Sequence, residues 1–548
     1  MPAVRKNQKV PARLALKGSR RPLAVAATLP LRAAGGKVEV TLKLRLRPKS
    51  RAVRDRLVTL AGSPLNERTY LSRAEHEEIF GARPSDVIKV EAFAARFGLS
   101  VVGKHVASRS IRLRGRADQV QRAFGVRLRS VRIAGVRCHA HREEVRLPWE
   151  IAAVVRAVLG LDTRPVARPH AVPAGDAGGT TGGFPPRQIC SLYGFPGQLD
   201  GSGQCLALIE VNAANTLGIP GAGFLPADLA QAFQGSGLPT PVVEAVPTAD
   251  GTGNLPGPNP AADAEVALDL QVAAAAAPGS RIAVYFGANS ATGYHDAVSA
   301  AIHDASRNPR VLSTSWGLSE DEYAPALRAE LDQLFQEAAT LGITVCASTG
   351  DLGSSGRDQG ATDHQAHPHF PATSPSVLAC GGTSLNVAGG AIAAEQVWNG
   401  GYETGAGGGG VSDTFPRPPW QQASQVPLSS PKNFAGRGIP DLAAHADQAN
   451  GYQVVVAGEF QVLGGTSAVA PLLAGLLTRI NQARGAAGRP PVGFINPLLY
   501  AHPGAFRDIL TGSNDIDGTF GLYSARKGWD PCTGLGSPNG TALLTLLS

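Results

Sequence analysis

Three short stretches of the chain carry residue types that could break a bond, and their spacing suggests which bond. The first is GGTSAVAPLLAGLL, residues 464–477. Ser467 follows glycines at the start of an apolar helical run. That position exposes its Oγ and puts helix N–H groups nearby, where they favour developing negative charge. The same serine could serve only as a helix N-cap. The second stretch is DAEVALDLQVAAAAAPGS, in which Glu265 and Asp269 stand at i and i+4. They share one face of a helix otherwise made of Val, Ala and Leu, and no basic residue is spaced to pair with them. Close carboxyls share a proton, which splits their titrations and leaves one poised near mildly acidic pH. Acidic residues answering the dipole of a helix N-terminus are the plainer alternative. The third is ITVCASTGDLGSSG, where Asp351 follows an apolar strand and a glycine. A protonated Asp can donate a hydrogen bond to an oxyanion while it stays neutral. A lone Asp before Leu-Gly can also be an Asx-turn residue. A serine nucleophile needs a base, and the acidic pair is the candidate.

These residues need a scaffold. From Gln204 onward, apolar β-type runs (CLALIEV, RIAVYFG, VLSTSW, ITVCAS) alternate with helical stretches at 261–276, 294–305 and 325–341. Near-continuous apolar strands separated by helices predict an α/β fold, a buried parallel sheet with helices on both faces. Sites in such sheets lie at the C-terminal strand ends, where Asp351 falls. The earlier part of the chain differs. Residues 38–46 alternate apolar and polar, a helix is expected over 51–60, and Ser72 with Glu75 spells a capping box. A further helix opening at Ser85 ends at Gly98. Strands at 99–102 and 108–113, a helix at 117–124, a strand at 126–133 and a helix at 149–159 complete an α+β domain. Residues 163–187, rich in Pro and Gly without periodicity, read as a linker whose exposed tip a protease would cut. The expected division is a basic lead-in over 1–37, a first domain over 38–162, a cleavable linker over 163–187 and a second domain over 188–548.

Charge separates the two halves. Residues 1–180 hold 36 Lys and Arg against 14 Asp and Glu, a balance of +22, whereas 181–548 hold 15 against 29, a balance of −14. The basic residues of the first part alternate with apolar ones, as on the outer face of a sheet. Docking of one domain on the other is therefore favoured over nucleic-acid binding. No apolar run is long enough to span a membrane. The six cysteines are widely spaced with no CxxC pair, so no disulfide framework is indicated. The apolar segment at 22–31 is broken by Thr28 and Pro30, a poor signal-peptide core.

Subtilisin-like peptidases present their serine in a GTSxAxP segment as this chain does, but take their base from an HGT segment, and none of the twelve histidines here precedes a glycine. Glu265 with Asp269, Asp351 just past an apolar strand, and Ser467 in GGTSAVAP together resemble the sedolisin (serine-carboxyl peptidase) family. The resemblance extends over LIE at 208–210, STSWG at 313–317, LACGGTSL at 378–385, GWDPCTGLGSP at 528–538 and the leader with LGLD at 159–162. It implies a subtilisin-like catalytic domain preceded by a ferredoxin-like propeptide, and a secreted, extracellular, monomeric endopeptidase made as a zymogen and active in acid on protein or peptide substrates. It implies Ser467 as nucleophile, Glu265 as general base and acid, Asp269 as its carboxyl partner and Asp351 as the oxyanion acid, with Glu210 and Trp316 supporting the base. It also implies one Ca²⁺ site formed by Asp508, Ile509, Gly528 and Asp530, where Arg526 replaces a glycine of the family pattern. The histidine-rich loop HQAHPHFPA, 364–372, is longer than the family pattern and is expected to border the substrate cleft. Two rival readings are a tripeptidyl peptidase of the same superfamily and a basic-headed binding protein with a dead protease body.

Overall fold

The computed structural model describes residues 13–21, 36–46, 50–133, 135–170, 172–173, 182–214, 219–249, 251–357, 363–516, 518 and 521–548. The first domain is built on a four-stranded antiparallel sheet in the order Ser100–His105, Ser110–Arg116, Lys37–Leu44, Val155–Leu159. Helices Pro84–Phe97 and Ala117–Phe124 cross over between these strands, which gives the βαββαβ path of a ferredoxin-like fold. Alternation in Lys37–Leu44 puts Val38, Val40, Leu42 and Leu44 into a core with Phe93, Leu113 and Phe124. The Ser72–Glu75 capping box forms as read, with both reciprocal hydrogen bonds made. The next helix starts one residue earlier than expected, with Arg83 as N-cap and Pro84 in its first turn.

Two expectations fail here. The helix foreseen over 149–159 stops after Trp149–Ala152, and Val155–Leu159 is an edge strand paired with Thr41–Leu44. Its alternating burial and β-branched residues suit a pleated edge, and the waiting partner strand decides the conformation. Part of the lead-in is also built into the domain, since Arg13–Ala15 pairs with Arg146–Pro148.

The second domain carries a parallel sheet in the order Val242–Pro247, Arg281–Ala288, Cys205–Ala214, Val311–Thr314, Thr344–Ser348, Leu378–Ala388, Leu442–His445. Helices Pro260–Ala276 and Val469–Ala486 pack on each other against one face, and Ala291–His303 and Pro325–Thr340 pack together on the other. Helix Pro260–Ala276 is buried almost along its whole length, which its Ala-rich, largely apolar sequence allows. Asn259 caps it by accepting from Ala262 N. All six cysteines are buried and unpaired.

The sheet of the first domain docks on the outer helix pair of the second, and the charge asymmetry is realised there. Arg109 pairs with Glu337, Lys43 and Arg156 with Glu330 at 3.7 and 3.3 Å, and Arg112 with Asp296. Burial alone would raise Glu337, but Arg109 with the neighbouring histidines outweighs it and holds this carboxyl down to about 2. Lys43 is driven by burial down to about 8. Arginines also satisfy backbone: Arg68 donates to Phe494 O at 2.6 Å and Arg73 to Ile302 O at 2.8 Å.

Candidate active site

Helix Pro260–Ala276 presents Glu265 and Asp269 from one face, and the turn Thr466–Ala468 delivers Ser467 at the head of helix Val469–Ala486. Packing between the two helices brings the residues together. Ser467 Oγ donates to Glu265 Oε1 at 2.5 Å, with both side chains fully buried. Ser315, just past strand Val311–Thr314, donates to Asp269 Oδ1 at 2.8 Å and to Ser467 O at 3.2 Å. Asp269 thus stands one helical turn behind Glu265, tied to the backbone of the serine.

A third carboxyl lies behind these two. Trp316 Nε1 donates to Glu210 Oε2 at 2.7 Å, and Glu210 and Asp269 hydrogen-bond each other. A hydrogen bond between two carboxyls requires a proton on one of them. Glu210 Oε1 and Asp269 Oδ2 find no other donor among the described residues. Burial pushes both groups up, and Asp269 rises further because Glu210 and Glu265 place negative charge beside it. Glu210 and Asp269 therefore titrate as a pair, with protons retained into the range where isolated carboxyls are ionised.

Asp351 follows strand Thr344–Ser348, at the expected C-terminal end of the sheet. Its Oδ1 accepts from Thr466 N and Thr466 Oγ1, each at 2.8 Å, which locks it to the residue before Ser467. Its Oδ2 is buried without a partner among the described residues, and burial pushes the group up to about 7. Gly465 leaves room beside this buried oxygen. At φ +112°, a Cβ on residue 465 would lie 2.4 Å from Asp351 Oδ2 and 2.0 Å from the carbonyl oxygen of His170. One point in space therefore touches both the free acid oxygen and a carbonyl from the linker.

That contact ties part of the linker expected over 163–187 into the cleft, while its residues 171 and 174–181 lie outside the described residues. Arg168–Pro169 pairs antiparallel with Trp316–Gly317, and Val172–Pro173 pairs antiparallel with Leu463–Gly464. Asn289 grips the chain further back, accepting from Val166 N and Ala167 N and donating to Ala167 O at 2.8 Å. Sequence without periodicity forms strands here because the cleft supplies edges on both sides. His170 is buried, with Nδ1 2.8 Å from Ser348 Oγ and Nε2 3.1 Å from His369 Nδ1. The loop holding His369 does border the cleft, as expected. His369 Nε2 faces Gly356 O, and His367 pairs with Asp321 and Asp363, so these two histidines are committed to separate partners.

Residues 30–164 match the Pro-kumamolisin activation domain, and residues 259–491, which contain all four candidate positions, match the Subtilase family. Kumamolisin from Bacillus sp. (strain MN-32) is 43% identical over 523 residues, 93% of this chain and 92% of its own length. The chain is a serine-carboxyl peptidase of the sedolisin family. Tripeptidyl-peptidase sed5 of Aspergillus fumigatus is 27% identical over 88% of both chains. Human tripeptidyl-peptidase 1 is 36% identical over 44% of this chain and 43% of its own. Among solved structures, Pseudomonas sedolisin, a serine-carboxyl proteinase, matches with TM-score 0.57 and 28% identity over 67% of this chain and 98% of its own. This sedolisin-family chain thus carries its activation domain and its peptidase domain together.

The residues implied as a Ca²⁺ site meet around one turn near the C-terminus. Gly528 N donates to Asp508 Oδ2 at 2.9 Å and Arg526 N to Asp530 Oδ2 at 3.2 Å, while Ile509 is buried beside them. Burial raises Asp530 to about 6 against the hydrogen bonds it accepts, a cost that a bound cation would offset. Two carboxylates among backbone carbonyls suit a hard cation. Arg526 does not block the turn, because its guanidinium donates to Trp529 O and Gln425 O.

Sequence reading did not single out Ser315, Thr466, Gly465 or His170. The first three adjoin motif residues, but their partners are distant in sequence.

Proposed function

We propose that this peptidase cleaves internal peptide bonds in acid through Ser467, Glu265, Asp269 and Asp351, and that its first substrate is its own His170–Ala171 bond. The observation that carries the reading is the 2.5 Å hydrogen bond from Ser467 Oγ to Glu265 Oε1, made between fully buried side chains. Glu265 accepts the hydroxyl proton as Oγ bonds to the carbonyl carbon. The carbonyl electron pair moves to oxygen, which receives the proton-bearing Oδ2 of Asp351 as donor. Collapse breaks the C–N bond, and the leaving amine takes its proton from Glu265. Water then attacks the acyl-serine by the same relay, releasing the acid and restoring the serine. Asp269, sharing a proton with Glu210, keeps a neutral hydrogen-bonded support behind the base. A carboxylate base functions where a histidine would already be charged, which fits acid operation.

The linker supports both the cleavage bond and endopeptidase action. The His170 carbonyl abuts the point that Asp351 Oδ2 also touches, with paired strands before and after it. Contacts reach back to Val166, further than three residues, so the cleft does not end where a tripeptidyl peptidase would close it. We also assign Ca²⁺ to Asp508, Asp530 and the carbonyls of Ile509 and Gly528, where it would brace the C-terminal turn and take no part in proton transfer. The activity belongs to acidic surroundings outside the cytosol, in a secreted, monomeric protein. The test is to incubate the full chain at pH 4 and sequence the new N-terminus. Ala171 as first residue, absent in Ser467→Ala and Glu265→Ala, is expected. Cleavage of the purified Ser467→Ala chain at the wild-type rate would sink self-processing. Retention of wild-type peptide hydrolysis by Glu265→Ala would sink the relay.

A further inference from the structure

Where the propeptide sheet meets the peptidase domain, His76 of helix Arg73–Phe80, His303 of helix Ala291–His303 and Glu337 of helix Pro325–Thr340 converge. One comes from the propeptide and two from the peptidase. Their side chains are 0 to 2% exposed. A ligating atom from each lies within 4.8 Å of the others, with His76 Nε2 at 3.6 Å and His303 Nε2 at 3.9 Å from Glu337 Oε2. Those separations are too long for hydrogen bonds. Among the described residues none of the three atoms has a hydrogen-bond partner, nor does His76 Nδ1. Buried polar atoms left unsatisfied and aimed at a common point mark the place of a missing partner.

The spacing and the surrounding contacts say what kind. Ligands held about 2.0–2.2 Å from a tetrahedral ion lie roughly 3.3–3.6 Å apart, so the two separations from Glu337 Oε2 need close by at most a few tenths of an ångström. His303 Nδ1 donates to Ser299 O at 2.8 Å, which fixes the tautomer and turns the Nε2 lone pair into the cluster. Metal-binding imidazoles are commonly held in this way. Glu337 Oε1 is occupied by the Arg109 guanidinium and by Gln333 Nε2 at 3.1 Å, leaving Oε2 facing the histidines. Two imidazole nitrogens and one carboxylate oxygen suit borderline divalent ions, whereas Ca²⁺ prefers all-oxygen shells. Arg109 beside the carboxylate tempers the affinity without filling the position.

We propose that His76, His303 and Glu337 bind one zinc-class divalent cation that staples the propeptide to the peptidase domain. Because His76 departs with the propeptide, the site exists only in the zymogen. The inference is independent of the catalytic assignment, since it is read by bound metal rather than by proteolysis. The test uses the full Ser467→Ala chain, stripped of metal by chelator and titrated at neutral pH with Zn²⁺ and with Co²⁺. Expected are one zinc per chain after desalting, the visible absorption of tetrahedral or five-coordinate Co²⁺, and a rise in Tm on zinc addition. All three disappear in His76→Ala and in His303→Ala. No retained zinc, or one zinc that survives both substitutions, overturns the proposal. Should either variant misfold, the Co²⁺ spectrum of the otherwise unaltered chain decides: octahedral all-oxygen absorption, or none, overturns it as well.

Discussion

Asp351 can serve an oxyanion only while it carries its proton, and burial pushes its pKa up to about 7. The linker fills the cleft in this state, so the reaction to follow is cleavage of the full chain on itself. Below about pH 6 the acid is almost wholly protonated; one unit above its pKa about a tenth of it is, and each further unit costs about another factor of ten. The rate of self-cleavage should therefore fall on the alkaline side with a single titration near 7. Asp351→Asn keeps a donor at the same place at every pH. It should cleave about 10- to 1000-fold more slowly than wild type in acid, since an amide replaces a better donor, but without that alkaline limb. The assay is the first-order loss of intact chain by mass spectrometry across the acid and neutral range. If Asp351→Asn keeps the wild-type fall near 7, the titration belongs elsewhere, most directly to the Glu210–Asp269 pair, and the role given to Asp351 is refuted.

Other outcomes follow from contacts on the same map. Gly465→Ala drives a methyl into His170 O and Asp351 Oδ2 at a strained φ; self-cleavage should be lost while circular dichroism remains unchanged. Trp316→Phe removes the donor to Glu210 and leaves a buried carboxyl oxygen unsatisfied, which should cost about 1–3 kcal/mol in urea unfolding of the Ser467→Ala chain. Glu337 is held down to about 2, below an unfolded value near 4.5, so its ion pair supports docking fully above about pH 5 and fades as pH falls toward 2. That window is worth about 3 kcal/mol, and Arg109→Met should abolish this part of the pH dependence of unfolding while lowering stability at neutral pH. Removing Ca²⁺ should lower Tm by several degrees, and Asp508→Asn should make Tm indifferent to Ca²⁺.

The candidate constellation was legible because its pieces are local. Glu265 and Asp269 are one turn apart on a helix whose apolar context is visible in the string, and the turn before Ser467 announces itself in glycines. Parallel strands could be read from apolar runs such as ITVCAS for the same reason. What depended on partners could not be read. Val155–Leu159 becomes a strand only because Lys37–Leu44 offers an edge, and Arg168–Pro169 and Val172–Pro173 become strands only because two edges flank the cleft. The charge asymmetry foretold docking, but nothing in the string said that Lys43, Arg109, Glu330 and Glu337 would be buried at the contact. Resemblance supplied Glu210 and Trp316; their pairing through a shared proton network needed coordinates.

Self-cleavage of the linker strands held in the cleft would have a kinetic consequence. The first turnover is unimolecular, so its half-life is the same in a dilute sample as in a concentrated one. Activation then needs neither a second protease nor an encounter between molecules, and it leaves no lag that shortens as product accumulates. Each chain keeps its own time, set by the local proton concentration, and a population diluted on release would mature no more slowly for having been dispersed.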